Sequence, residues 1–408
     1  MSNAKNNYAV PFAIMTFLLF LLGFVTWMNS ILVPFLQYKF NISPSDAQLV
    51  NSAFYGAYII SIPVGAFVKW IGYKKSAIVG TLLTGIGTAI FVPAVSISFN
   101  MVLAGLFITA VGIVIIQVVA NPYIIALGDP ETSSSRLTLA MAANSIAAGL
   151  APLIGSLILT KDGDAPVNEH AAIILFSVLA GIVILTGIIL IFMDLPAIHD
   201  DTEESGEKAR SAWSYPHLIL GFVGITMYIG LEVGVASYFV NYAHFNLGID
   251  ADTASRIMTW YFIGFIIGRL SGGAILRKFS PNSVLTFNLI SGVVLITIFF
   301  FTKGTTFSMY PVLALGLFFS IMWPVIFDMA LKDVHPSAAK LGSGIISTGV
   351  VFVGVWTWLM GKYVETTVPP EGGTPDYGSA YIFFYLFFAY LIFYAVKGSK
   401  IRVDEKKA

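Results

Sequence analysis

From Val10 to Leu36 the chain runs without a single charged residue. A helix needs about 20 apolar residues to cross the hydrocarbon of a bilayer, so this run alone is long enough to span. It exceeds the apolar core of a signal peptide and lacks a small-residue cleavage site, so it reads as a retained membrane helix. The pattern then repeats along the sequence. Apolar residues make up 57% of the chain and charged residues 11%, against about 25% charged in a soluble domain. Backbone N–H and C=O groups in lipid must pair within the segment, which leaves helices as the spanning unit for runs of this length. The expected fold is an all-α polytopic membrane protein.

Twelve candidate spans lie at about 10–37, 46–70, 76–94, 99–127, 135–160, 171–194, 215–244, 253–276, 281–302, 306–331, 341–363 and 379–396. The connections on one side hold Lys5, Lys69, Lys74, Lys75, Arg136, Lys208, Arg210, Arg277, Lys278, Lys332, Lys340 and the basic tail from Lys397. The other side holds Lys39, Lys161, Arg256, Lys303 and Lys362. The excess of basic residues marks the first side as cytoplasmic, which puts both termini inside and suits a cell (inner) membrane. The polar segment Pro196–Ser214 is acidic, contains Gly and Ser, and has no apolar periodicity, so it reads as a solvated linker. The expected organisation is a six-helix bundle over 1–194, a cytoplasmic linker over 195–214 and a second bundle over 215–408, acting as a monomer.

The stretch Gln117–Ser145 carries the strongest local signal. Gln117, Asn121 and Asn144 are amides among Val, Ala, Ile and Leu, and Pro122 removes a backbone donor in mid-helix. The carbonyl one turn earlier must find another partner. Polar side chains and a broken ladder at membrane depth are tolerated against protein or a wet cavity. The second half echoes this stretch. Asn121-Pro122 with Leu127-Gly128-Asp129 is matched by Trp323-Pro324 with Leu331-Lys332-Asp333, and Arg136 by Lys340. Gly65…Lys69…Gly72-Tyr73-Lys74-Lys75 is matched by Gly273…Arg277-Lys278. Two related halves with a site at the midplane is the plan of a secondary transporter.

These residues carry a resemblance. The Gly65–Lys75 loop resembles that between helices two and three of the major facilitator superfamily, with Lys69 where an Asp is usual. The segments NSAFYGAYIISIPVG at 51–65, the ANPY, ALG, SRLTLA and NS elements within 120–145, YIGLEVGVASYFVNY at 228–242 and FIGFIIGRLSGG at 262–273 are more specific. Together they are similar to the fucose–proton symporter family, whose relatives include bacterial glucose/galactose transporters. The resemblance implies two six-helix bundles and a sugar carrier driven by an ion gradient. It implies structural or gating work for Lys69, Gly72, Lys74, Arg136 and Arg269. Two departures stand out. The family's acid in span one is replaced in Asn29-Ser30-Ile31-Leu32 by Ser30, and the acid before its Ala-Asn-Pro is Gln117 here, as in the sugar-transporter branch. Neither side chain titrates in the physiological range, so a proton route through those positions is closed.

A hexose needs donors and acceptors around its hydroxyls and an aromatic plane against its CH face. Asn29, Ser30, Gln117, Asn121, Asn144 and Asn241 supply the first; Trp27, Tyr55, Tyr58, Trp260, Tyr261, Trp323 and Trp356 are candidates for the second. Single amides of this kind also serve as interhelical glue. Glu232, flanked by Gly230 and Gly234 in span seven, is an ionisable group at a depth where such residues face a cavity or a partner. The resemblance supports a sugar or cation contact there. Asp328 and Arg269 lie in the cytoplasmic halves of their helices, where a structural ion pair is the alternative. With Ser30, Glu232 and Asp328 as the ion-coupling set, the expectation is Na⁺ symport of a monosaccharide such as glucose or galactose. Na⁺ near Glu232 would be the coupling ion. Proton coupling and uncoupled diffusion remain open.

Other functions are disfavoured. There is no cysteine, and His170, His199, His217, His244 and His335 have no metal-ligand spacing. No phosphate-binding loop is present, and a net charge of zero argues against nucleic acid. The chain is not expected to be an enzyme or to carry a cofactor.

Overall fold

The computed structural model describes residues 8–42, 49–159, 169–196, 210–370 and 372–402. They are helical almost throughout. Among the described residues, eleven segments are long and apolar enough to cross a bilayer, beginning with Ala9–Met28 and ending with Tyr377–Lys400. Span eight, which completes the twelve expected, is also a helix. Its helix, Ala251–Ile275, is long enough, with Arg256 and Arg269 lowering its apolarity below that of the eleven. Most of the linker lies outside the described residues, although its first residue, Pro196, accepts a hydrogen bond from the Tyr123 hydroxyl through its carbonyl.

Short polar residues start three of the long helices. Ser98, Asp250 and Ser280 each accept a hydrogen bond from a backbone N–H in the first turn that follows. Pro281 adds a first-turn proline with a preset φ. Gly72 has φ +83° and turns the chain from span two into span three, a backbone conformation that a side chain would strain.

Prolines lie inside several spans, and beside two of them the helix changes form or breaks. Span two is Leu49–Gly56, a 3₁₀ turn over Ala57–Ile60, and Ser61–Ile71. Pro63 denies the Ile59 carbonyl its usual donor just where the helix tightens. Span ten breaks between Met309–Phe319 and Met322–Leu331, before Pro324. Span four stays helical through Pro122, from Phe99 to Ala126.

By their contacts the residues form two units. The first comprises Met1–Ser133, Ala143–Arg210 and Val334–Thr348; the second comprises Ser134–Ala142, Ser211–Asp333 and Gly349–Ala408. The start of span eleven thus packs in the first unit and the start of span five in the second. In the first unit, Gly344 crosses span two so closely that a Cβ would overlap the Ser61 carbonyl oxygen, and Gly65 lies against Leu341. In the second, the Ser135 hydroxyl donates to the Gly273 carbonyl at 2.6 Å, where Leu139 fills the space a Cβ on Gly273 would occupy. Close backbone approach through small residues is how helices associate where lipid removes the hydrophobic driving force.

Candidate binding site

The expected polar residues fall into two groups, one in each unit. In the first, Gln117 and Asn121 stand one turn apart on span four, 8% and 0% exposed. The Tyr58 hydroxyl, on the tight turn of span two, donates to Gln117 Oε1 at 2.8 Å and fixes the amide's orientation. Neither the amide nitrogen nor the oxygen of Asn121 has a hydrogen-bond partner. An unpaired buried polar group costs about 1–3 kcal/mol, so an amide with both ends unpaired is an unusual thing to keep in a helix core. The carbonyl freed by Pro122 is answered: Val118 O accepts from the Ser343 hydroxyl at 2.9 Å.

The second group surrounds Glu232. Its carboxyl interacts with the Arg269 guanidinium and with the Tyr228 hydroxyl, which approaches it without completing a hydrogen bond of good geometry. Tyr228 precedes Glu232 by one helical turn, so both side chains leave the same face of span seven. Tyr261 faces the same carboxyl from span eight. The hydroxyls of Tyr228 and Tyr261 and the indole N–H of Trp323 are buried without partners. Arg269 is 5% exposed. Its Nε donates to Ser320 O at 3.0 Å and its Nη1 to Met141 O at 2.9 Å. Ser320 O is the acceptor that Pro324 deprives of a backbone N–H, so the arginine repairs the break in span ten while tying it to span five.

The remaining expected residues are placed as follows. The side chains of Asn29 and Ser30 lie outside the described residues, although both sit in the helix Ala9–Phe40. Asn144 donates to Leu19 O at 3.0 Å and packs on Gly23, so its nitrogen ties span five to span one. Tyr55 is half-buried, edge-on to Phe54. Trp260 is 64% exposed, and its neighbour Tyr261 takes the interior position instead. Trp356 donates its N–H to Thr226 O at 2.8 Å and packs edge-on to Phe387, an arrangement that serves the packing of the second unit. Asp328 is buried and accepts a hydrogen bond from the Ser134 hydroxyl. That bond sits at the N-terminus of the helix Ser133–Leu159, where free N–H groups favour negative charge. Lys69 is exposed, whereas Lys74 and Arg136 are half-buried.

Tyr228, Ser134 and Ser343 were not among the expected functional residues. The i, i+4 spacing of Tyr228 to Glu232 is a signal the sequence does hold. The serines are ordinary in composition, and their role appears only with their acceptors.

Known proteins give this geometry a context. Residues 15–357 match the Major Facilitator Superfamily. A glucose/galactose transporter of Brucella abortus is 36% identical over 98% of this chain and 96% of its own. The L-fucose-proton symporter of Escherichia coli is 29% identical over 88% of this chain and 87% of its own. The crystal structure of the transporter FucP, in the outward conformation, superposes with a TM-score of 0.83 at 27% identity, covering 97% of this chain and all of that one (100%). The chain belongs to the major facilitator superfamily, in the branch of the glucose/galactose and fucose–proton transporters.

Proposed function

We propose that this chain carries a neutral monosaccharide across a bacterial inner membrane by alternating access, with both termini in the cytoplasm and proton symport as the driving reaction. One observation carries the sugar reading: Asn121 keeps a donor and an acceptor unpaired one turn from an amide that Tyr58 holds in position. A ligand hydroxyl both donates and accepts, and would satisfy both ends. The names of the relatives, a glucose/galactose transporter and an L-fucose-proton symporter, point the same way.

Proton coupling replaces the sodium preference drawn from the sequence. A sodium ion at Glu232 would compete with the Arg269 guanidinium for the same carboxylate, and among the described residues no second carboxylate acts on Glu232. Proton transfer to Glu232 needs no vacant coordination shell. Asp328, already bonded by Ser134, is the alternative carrier.

The test is uptake into proteoliposomes. An inward pH gradient in sodium-free buffer is expected to accumulate D-glucose, D-galactose or L-fucose above the outside concentration, and Glu232→Gln is expected only to equilibrate it. Accumulation that requires a sodium gradient at equal pH reverses the ion assignment. Equilibration by the wild type under both gradients makes the protein a facilitator.

A further inference from the structure

We infer that Tyr228, Tyr261 and Trp323 form, together with Glu232, a subsite for adjacent hydroxyl groups of the transported sugar, contained within the second unit. The inference rests on the sugar-transport reading and assigns three positions to it. The two tyrosines are 0% and 1% exposed and Trp323 is 5% exposed, yet none of their polar atoms makes a hydrogen bond of good geometry, the Tyr228 hydroxyl only approaching the Glu232 carboxyl. Buried Tyr and Trp side chains normally end on a hydrogen bond. Three such groups in one neighbourhood form a surface suited to a polar ligand.

They do share a neighbourhood. Tyr228 and Tyr261 interact with each other and with Glu232. The Tyr228 and Trp323 rings meet edge-on, with centroids 6.2 Å apart at 61°. The packing also fixes the rings. Tyr261 leans on Phe265 with centroids 5.3 Å apart, and Trp323 stacks on Phe327 at 6.3 Å. A polar atom on an immobile ring is preorganised for one partner position.

The chemistry of the set selects the ligand class. Glu232 offers two acceptor oxygens, the indole is a donor only, and each phenol can donate or accept. A sugar hydroxyl donates to the carboxylate while accepting from a phenol or the indole, so two neighbouring hydroxyls would satisfy the cluster. An anion would meet the Glu232 charge, and a purely apolar ligand would leave every orphan unpaired. Arg269 balances the carboxylate while its Nε and Nη1 stay on backbone carbonyls. A neutral polyol is the ligand that remains.

The decisive variants are Tyr228→Phe and Tyr261→Phe, which delete one hydroxyl each and keep the ring. Binding of D-glucose, D-galactose and L-fucose to purified protein is measured by calorimetry, and melting temperature is measured without sugar. Each variant is expected to bind roughly three- to tenfold more weakly, the loss of one net hydrogen bond. Without sugar each is expected to melt at or above the wild-type temperature, because an unsatisfied group has been removed. A deoxy-sugar lacking the paired hydroxyl is expected to bind the wild type and the matching variant alike. Wild-type affinity in both folded variants would overturn the subsite and leave sugar transport standing. A lower melting temperature with unchanged affinity would make the hydroxyls structural and would overturn it equally. A wild type that binds none of the three sugars would remove the transport reading and the subsite together.

Discussion

Ser343 donates its hydroxyl to the Val118 carbonyl, the acceptor that Pro122 leaves without a backbone donor. The bond joins span eleven to span four inside the first unit, beside the crossing where Gly344 meets Ser61. The proline thus does more than interrupt a ladder. It creates a docking point for another helix, at a position that a regular helix would have closed.

Ser343→Ala is therefore expected to leave that carbonyl buried and unpaired, at a cost of about 1–3 kcal/mol. The check is thermal unfolding in detergent, and Pro122→Ala is the informative companion. Alanine restores the backbone donor, so Ser343→Ala should cost less in the Pro122→Ala background than alone. A strictly additive double variant would mean that the two residues do not act on the same carbonyl.

Arg269 performs the corresponding repair in the second unit, with a charged donor. Arg269→Lys is expected to be a poor substitute, because one ammonium cannot reproduce the guanidinium's fork to Ser320 O and Met141 O. Charge is conserved, so a loss of uptake in the lysine variant would report geometry. Uptake and melting temperature should fall together in Arg269→Lys and further in Arg269→Met. Full uptake in Arg269→Met would remove the arginine from the transport cycle.

Much of this was legible in the sequence, and the boundary has physical causes. Apolar length, basic asymmetry and the proline positions act locally, so the spans and the need for a partner at Pro122 could be read from single stretches. The identity of that partner could not. Ser343 lies 225 residues from Val118, and no local signal distinguishes it from any other membrane serine. The same holds for Asn144, whose amide nitrogen bonds Leu19 O, 125 residues away. Trp260 and Tyr261 are adjacent in sequence and opposite in environment, because one helical step of about 100° separates a lipid-facing position from an interior one. Span eight carries polar residues that serve contacts inside the protein, as Arg269 does, and its helix, Ala251–Ile275, lies where it was expected.

Asp328 and Ser134 permit a test that separates charge from hydrogen bonding. Asp328→Asn keeps an acceptor for the Ser134 hydroxyl and removes the charge near the N-terminus of the span-five helix. If the carboxylate carries the coupled proton, Asp328→Asn should equilibrate sugar without concentrating it. With Glu232 in that role, Asp328→Asn should still accumulate sugar under a pH gradient, and only Asp328→Ala should lose stability. Proteoliposome uptake at one fixed pH gradient distinguishes the two.

The final prediction concerns the first unit. Gln117 accepts from Tyr58 through Oε1 at 2.8 Å, so its amide nitrogen is turned away from that bond, on the helix that also carries Asn121. Gln117→Ala removes both the proposed ligand contact and the acceptor for a buried phenol. By the cost of one unsatisfied group, about 1–3 kcal/mol, sugar binding should weaken roughly tenfold or more. Tyr58→Phe separates the two contributions. It leaves the amide intact but frees it to rotate, so affinity should fall by less than in Gln117→Ala. Asn121→Ala should resemble Gln117→Ala in binding while raising the melting temperature of the empty carrier, since two unpaired atoms disappear. Calorimetric titration with D-glucose, D-galactose and L-fucose provides the affinities. Wild-type binding in folded Gln117→Ala would take that residue out of the site, and a destabilised Asn121→Ala with unaltered affinity would make the asparagine a packing residue.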